Sequence, residues 1–347
     1  MLVVEHVTGG GLAGRDLPTS WAAEGSAIRR ALAKDFAAVP GVQVVMTLDA
    51  RLPEELGPWT VVRVGAGDYG STLDRLVAEA ESTAPIAPET SGALRDLLER
   101  IDLGGGRSLG STVEAVELAG DKLRLAEHLE RHGIPTPPSR RAFRDGPLPR
   151  DIAYPAVIKP IDGAGSVGTR WVHSASDLSA WADPDLGPVA LIQPFFVGEP
   201  RSATFLARPG LPARLLGVGR QDVIRIGASF AYRGGTLLDE ELSLDHPARL
   251  AVDSIEGLAG PVGVDYLQTP DGPVTVIEVN PRPTTSCVGL VVALGPGRLG
   301  SAWLGLDNPQ ADLSEIVRSQ APLRFLADGT IASPDSERTA IERGRCA

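Results

Sequence analysis

Gly263-Val264-Asp265-Tyr266-Leu267 and, further on, Val276-Ile277-Glu278-Val279-Asn280-Pro281-Arg282 are two short apolar runs that carry three oxygen donors: Asp265, Glu278 and Asn280. Glu278 and Asn280 are two apart, so on a strand they share a face, while Val276, Ile277 and Val279 take core or sheet positions. Hard cations take carboxylate and amide oxygens, and magnesium is usually held by few protein groups together with substrate phosphates. In isolation the plainer reading is favoured, a hairpin whose polar residues face water. The rest of the chain decides between the two.

Upstream, Gln193-Pro194-Phe195-Phe196-Val197-Gly198-Glu199 closes an apolar strand at a glycine. Backbone groups there can hydrogen-bond an adenine edge, the phenylalanines can pack near its face, and Glu199 can accept from a ribose hydroxyl. A strand leaving the core through a turn is the alternative. Earlier still, Lys159 ends the run Ala156-Val157-Ile158 and precedes Gly163-Ala164-Gly165-Ser166-Val167-Gly168. Glycines let backbone N–H groups approach phosphate oxygens, and a strand-end lysine supplies the charge. The loop also matches Gly-x-Gly-x-x-Gly, but it runs into the strand-like Thr169-Arg170-Trp171-Val172, where a dinucleotide loop would open a helix. An ordinary hairpin turn fits the same residues.

Lys122 stands at a helix start and, taken alone, is a solvated lysine. Arg201, Arg220, Arg225 and Arg282 offer planar bidentate donors for carboxylate or phosphate. Surface pairing accounts for most of them; Arg282 is the exception, because it follows the Glu278-x-Asn280 pair directly. His128 and His132 have metal-ligand spacing but no third ligand. Cys287 has no histidine spaced to activate it and reads as a small buried residue.

A chain of 347 residues suits two or three packed subdomains. With 44 acidic and 33 basic residues its net charge is -11. That argues against a nucleic-acid or anionic-membrane surface, so any phosphate site must be local. Met1 to His6 reads as a strand and not a signal peptide, and no run approaches a membrane span. Cys287 and Cys346 are too far apart to define a disulfide framework, which fits a reducing cytoplasm.

Short strands at Leu2-Val4, Val42-Thr47 and Thr60-Val64 alternate with helical stretches at Ala22 to Phe36 and Leu73 to Glu81, predicting a parallel α/β unit over residues 1–105 that ends near Gly104-Gly105-Gly106. Residues 106–188 open with a helix from Gly120 to His132 and continue as an α+β lid with strands at Ala156-Lys159 and Thr169-Val172 and a helix near Asp177-Ala182. Residues 189–330 are strand-rich, with Leu191-Phe196, Ala203-Ala207, Leu215-Val218 and Ser229-Tyr232, then a helix at Ala248-Leu258 leading into the hairpin. Residues 331–347 read as a polar, fraying tail.

The ordered set of Lys122, Lys159, glycine loop, Gln193-Phe196 strand end and acidic strand pair resembles the ATP-grasp superfamily over about residues 110–300. The resemblance implies a mixed α/β and α+β class: an ATP-grasp fold behind an N-terminal parallel α/β (pre-ATP-grasp) domain. It further implies ATP with magnesium, or manganese in its place. Lys122 and Lys159 would then contact the phosphates, with Gly163, Gly165, Ser166 and Gly168 closing over them. Gln193, Phe195 and Phe196 would form the adenine hinge, Glu199 would meet the ribose, and Asp265, Glu278 and Asn280 would hold the metal. The hinge commonly opens with an acidic residue where this chain has Gln193.

The N-terminal segments Glu5-His6-Val7-Thr8-Gly9-Gly10-Gly11, Ser20, Glu24-Gly25, Thr47-Leu48-Asp49-Ala50-Arg51 and Ala87-Pro88-Glu89-Thr90 are similar to an ATP-grasp group that includes tyramine-glutamate ligases of methanofuran biosynthesis. Related proteins occur in methylotrophic bacteria, where methylofuran serves one-carbon metabolism. The resemblance implies a ligase for a small-molecule carboxylate and amine: glutamate with tyramine, tyrosine or a related amine, joined through an acyl phosphate. Arg282, with Arg225, would stabilise the charge that develops. A lid of about residues 120–188 would exclude water. No nucleic-acid or membrane partner is expected; such ligases are often dimers, although the sequence shows no interface signature. The alternatives are a ligase for another amino acid or dipeptide, a non-catalytic ATP-binding regulator, and a nicotinamide dehydrogenase raised only by the glycine pattern.

Overall fold

The computed structural model describes residues 1–163, 165–269, 272–306 and 322–332. Strand β1 (Leu2–Glu5) is buried at every position, as a central parallel strand covered on both faces requires. It pairs in parallel with β2 (Val45–Asp49) and with the fourth strand of the sheet, while β3 (Thr60–Val64) pairs with β2 at the far edge. That fourth strand, β4 (Thr83–Ile86), gives the order β3-β2-β1-β4. It was not among the expected strands, because Pro85 interrupts its pattern. Proline is tolerated there because β4 lies at the sheet edge.

Side chains alternate across this sheet as the period of two demands. Val3 and Met46 face helix α1 (Thr19–Ala37), whose Ile28, Leu32 and Phe36 share their cluster. Leu2 and Val4 pack with Leu73, Leu76 and Val77 of α2 (Tyr69–Glu79) and with Leu94, Leu97 and Ile101 of α3 (Ala93–Leu103). The order reverses between β1 and β4, and the carboxyl ends at such a reversal are the place where open α/β sheets present ligand-contacting residues.

The expected helix from Gly120 to His132 is α5 (Lys122–Arg131), and an unanticipated helix, α4 (Val113–Gly120), precedes it. Asp121 ends α4 and caps α5: its Oδ1 accepts from the N–H groups of Leu123 and Arg124, each at 3.0 Å. The cap makes Lys122 the first residue of α5.

Strands β5 (Arg140–Phe143), β6 (Ala156–Pro160), β7 (Arg170–Val172) and β8 (Val189–Pro194) form a small antiparallel lid in the order β7-β6-β8-β5. The helix expected near Asp177-Ala182 is only a tight turn at Ser179–Ala182. Strands β9 (Glu199–Arg208), β10 (Leu211–Ile226) and β11 (Ser229–Leu238) continue as long antiparallel partners. After α6 (Pro247–Asp253), β12 (Gly260–Gln268) and β13 (Val274–Asn280) complete the order β13-β12-β9-β10-β11. Lid and main sheet join through one backbone pair, Ser229 with Arg170.

Helices α7 (Ser286–Leu294) and α8 (Arg298–Leu304) were not anticipated, and the segment of α7 is apolar all round, with Val292 left exposed and most of the rest buried. Strand β14 (Leu323–Leu326) then pairs with β11. Among the described residues no single helix is long and apolar enough to cross a membrane. The expected tail lies outside the described residues from 333 onward.

The largest core cluster joins both ends of the chain. Phe36 of α1 is fully buried, its ring 5.3 Å from that of Trp303 of α8, and Leu290 and Leu294 of α7 belong to the same cluster. The carboxylate of Asp35 also accepts from the N–H groups of Gly297 and Gly300, at 2.7 and 2.6 Å. Replacing Phe36 by Ala should lower the unfolding free energy by about 3–5 kcal/mol in urea titrations. Far-UV circular dichroism and tryptophan fluorescence should shift together; separate midpoints would mean that the two parts unfold independently.

Candidate functional site

Between the lid and the main sheet lies a cavity of about 710 Å³, within the range of small-molecule sites. Lys159 reaches it from β6 between the buried Ile158 and Pro160. Burial, then the neighbouring Lys122 ammonium, pushes the Lys159 amine down to about 8. Lys122 is only 7% exposed, which overturns the solvated-lysine alternative for this position. Its Nζ donates to the carbonyl of Gly163 at 2.5 Å and stands 3.2 Å from Glu278 Oε2.

Gly163, Gly165 and Ser166 line the cavity; Ala164 lies outside the described residues. Gly165 and Ser166 take consecutive left-handed conformations at φ 66° and 65°, the second unusual for a residue with a side chain. Gly168 does not line the cavity. It sits against Pro160, where a Cβ would come within 2.8 Å of a ring carbon. Its place is the tight turn that leads the loop into β7.

At the end of β8, the amide of Gln193 is buried and donates from Nε2 to Ser139 Oγ at 2.8 Å. Phe195 and Phe196 both line the cavity. The Phe195 ring is 4.5 Å from Trp171 and 6.5 Å from Phe230, an aromatic wall of which the sequence reading had only the phenylalanines at 195 and 196. The N–H of Phe195 is already given to Pro155 O at 2.9 Å, so it is not free for a base edge. Glu199 stays out of the cavity wall although Gly198 and Pro200 line it. Its carboxylate accepts from Arg201 Nε at 2.5 Å, so a ribose contact by Glu199 would be made alongside that bond.

Asp265 and Glu278 face each other in register across β12 and β13, with Asn280 further along the same face. Asp265 accepts from Gln221 Nε2 at 2.8 Å and from Asn280 Nδ2 at 3.3 Å. Burial, then the charge of Glu278, holds the Asp265 carboxyl well above its ordinary range. Burial would raise Glu278 too, but Lys122 and Lys159 outweigh it and hold that carboxyl below its ordinary value. Two half-buried carboxylates side by side with an amide oxygen fit a hard divalent cation, whose charge would relieve the repulsion that raises Asp265. Among the described residues no group of three His, Cys, Asp or Glu gathers for a metal. His128 instead contacts Ser254 Oγ through Nε2 at 3.1 Å. Cys287 is fully buried, which pushes its thiol up to about 12.

Arg282 is buried, and its Nε and Nη2 form a two-point contact with both oxygens of Glu89, each at 3.0 Å. Arg225 stacks over the Trp171 ring at 4.4 Å. Glu24, Glu89, Gln221, Tyr232 and Thr285 take part in this region without having been assigned to it. Glu24 and Glu89 stood in the N-terminal motifs, but 193 positions separate Glu89 from Arg282, and no spacing rule links them. Gln221 and Tyr232 carry no local motif.

Residues 119–286 match the model of the ATP-grasp domain, and residues 42–116 that of the pre ATP-grasp 3 domain. A D-alanine--D-alanine ligase from Pseudomonas putida is 28% identical over 75% of this chain and 83% of the relative. A biotin carboxylase from Pseudomonas aeruginosa is 36% identical, but the match spans 24% of this chain and only 20% of that enzyme's length. The crystal structure of a protein assigned to the ATP-grasp superfamily from Archaeoglobus fulgidus superposes with a TM-score of 0.63 at 23% identity, covering 88% of this chain and 87% of the other. The architecture is the ATP-grasp fold behind a pre-ATP-grasp domain, and the chain belongs to the ATP-grasp superfamily.

Proposed function

We propose that this protein is an ADP-forming ligase that joins a small-molecule carboxylate to an amine. The observation that carries this reading is the convergence of Lys122, Lys159, the glycine loop and the Asp265, Glu278, Asn280 face on one cavity. The lysines would bind the phosphates of ATP, and the loop N–H groups would cover them. Asp265, Glu278 and Asn280 would hold magnesium, or manganese in its place, which when bound neutralises phosphate charge. Trp171, Phe195, Phe230 and Phe196 give the purine an apolar slot.

The carboxylate oxygen of the donor substrate attacks the γ-phosphorus, the bond to the bridging oxygen breaks, and ADP leaves. The amine then attacks the acyl phosphate carbon, the carbon–oxygen bond breaks, and phosphate leaves with the new amide formed. Glu89 occupies Nε and one hydrogen of Nη2 of Arg282, and Nη1 donates to Pro283 O at 3.3 Å. Each terminal nitrogen thus keeps a hydrogen for the developing oxyanion. Arg225, stacked on Trp171, stands on the same cavity wall as a second donor.

Within this class, the N-terminal motifs favour glutamate as donor and tyramine, tyrosine or a related amine as acceptor, in a methylofuran-type pathway. The similarity to D-alanine--D-alanine ligase over 75% of the chain favours a second reading, a ligase for another amino acid or dipeptide. Incubation with magnesium, ATP, glutamate or other amino acids and a panel of amines, followed by mass spectrometry for ADP and condensed product, separates them. ATP bound but unchanged with every pair would sink the ligase reading.

Glu278→Gln should lower turnover on the order of 100-fold, and chelation of divalent cations should abolish it until magnesium is restored. Full magnesium-dependent activity in that variant would remove Glu278 from the metal site. Glu89→Gln should lower kcat about tenfold while leaving ADP affinity within twofold, because it acts through the orientation of Arg282. Stopped assays with calorimetric ADP titration would check the split.

A further inference from the structure

Part of the cavity wall is built by residues that the phosphate and metal assignments leave unused. Glu24 reaches it from α1 of the N-terminal sheet, Tyr232 from β11, and Thr284, Thr285 and Ser286 from the start of α7. Thr285 Oγ1 donates to Glu24 Oε1 at 2.5 Å, which ties the two domains together at this point. Burial, then the nearby Glu24 carboxylate, pushes the Tyr232 phenol far above its ordinary value, so its hydroxyl keeps its proton beside Thr285.

The charges here do not balance. Lys122 is answered by Glu278, and Arg282 by both oxygens of Glu89. Glu24 has the neutral Thr285 hydroxyl and, among the described residues, no salt bridge. Arg282 acts on this half-buried carboxylate only through longer-range charge, so it has lost part of its hydration and gained no contact ion pair in exchange. A cation brought by a ligand restores that balance, and Thr285 and Tyr232 offer neutral oxygens to the remaining N–H groups.

We propose that Glu24, flanked by Thr285 and Tyr232, binds a primary ammonium group of a substrate, which makes this end of the cavity selective for amino-acid or amine ligands over their deaminated counterparts. The identity of the ligand as a ligase substrate rests on the reading above; the cation site itself rests on the geometry. The same chemistry can come from the α-ammonium of the carboxylate donor or from the acceptor amine.

The test is calorimetric binding to the full chain saturated with magnesium and ADP. Glutamate, D-alanine and tyramine would be compared with glutarate, propionate and 4-ethylphenol, the same bodies without the ammonium. At least one ammonium compound should bind about tenfold more tightly than its partner, and Glu24→Gln should abolish that preference. Glutamine keeps the hydrogen bond from Thr285, so ADP affinity should stay within twofold. Thr285→Val, which retains the charge, should cost no more than about threefold. A preference for glutamate or D-alanine assigns the donor, and one for tyramine the acceptor. The proposal is overturned if no ammonium compound outbinds its partner, if Glu24→Gln keeps the preference, or if that variant loses ADP affinity equally. An intact, Glu24-dependent preference without condensed product from any pair would keep the cation site and reject the ligase reading instead.

Discussion

The encounter of the half-buried Asp265 and Glu278 with the buried Lys122 and Lys159 is the interaction on which the rest of the arrangement depends. Each of these charges would be costly alone in a cavity between two sheets, since an unpaired buried ion retains little of its hydration. The fold therefore has to deliver them together, and it does so from three elements: β6, the start of α5, and the β12–β13 pair. Antiparallel register sets Asp265 opposite Glu278. The Asp121 cap sets Lys122 at the first turn of α5, where its ammonium reaches Glu278. Burial, with the like charge of a neighbour, pushes both Asp265 and Lys159 toward their neutral forms.

A second constraint comes from the N-terminal sheet. Its switch between β1 and β4 directs Glu89 toward Arg282, and α1 brings Glu24 to Thr285 while Phe36 is buried against Trp303. The apolar contact and the polar contacts lie on neighbouring surfaces, so packing holds the ion pair in register at little extra ordering cost. A buried two-point Arg–carboxylate contact also fixes direction as well as distance. The N-terminal domain thus shapes the orientation of groups that the main sheet supplies.

Sequence patterns revealed the elements whose chemistry is local. The β12–β13 pair declared itself by alternation, Lys159 and the glycine loop by adjacency, and the superfamily by their order. The fold class followed from those same residues. Lys122 was legible only through that order, because burial by the lid is a tertiary fact. Long-range partners were not legible: Glu89 stood in a motif that nothing linked to Arg282, Gln221 and Tyr232 carry no local pattern, and their roles arise when segments distant in sequence become neighbours. Glu199 beside the hinge has a partner that its motif did not show, Arg201, two residues away on the same strand. Helix α7 escaped because an apolar run without period looks alike as strand or buried helix.

The geometry of Lys122 explains how a lid joined to the main sheet through one backbone pair can be aligned before nucleotide arrives. An ammonium has three donors. One is given to the Gly163 carbonyl on the lid and one is directed at Glu278 on the main sheet. The third remains for an incoming phosphate oxygen, so binding would require neither contact to break. The glycine loop is consequently held over the cavity by the same residue that would meet the phosphate, and its consecutive left-handed positions at Gly165 and Ser166 curl the backbone as an anion-facing concavity needs. Strain at Ser166, of order 1–2 kcal/mol for a side-chain residue in that region, is the kind that persists where the surroundings over-determine the backbone. Preorganisation of this sort places the ordering cost in folding rather than in binding, which leaves more of the phosphate interaction available for catalysis.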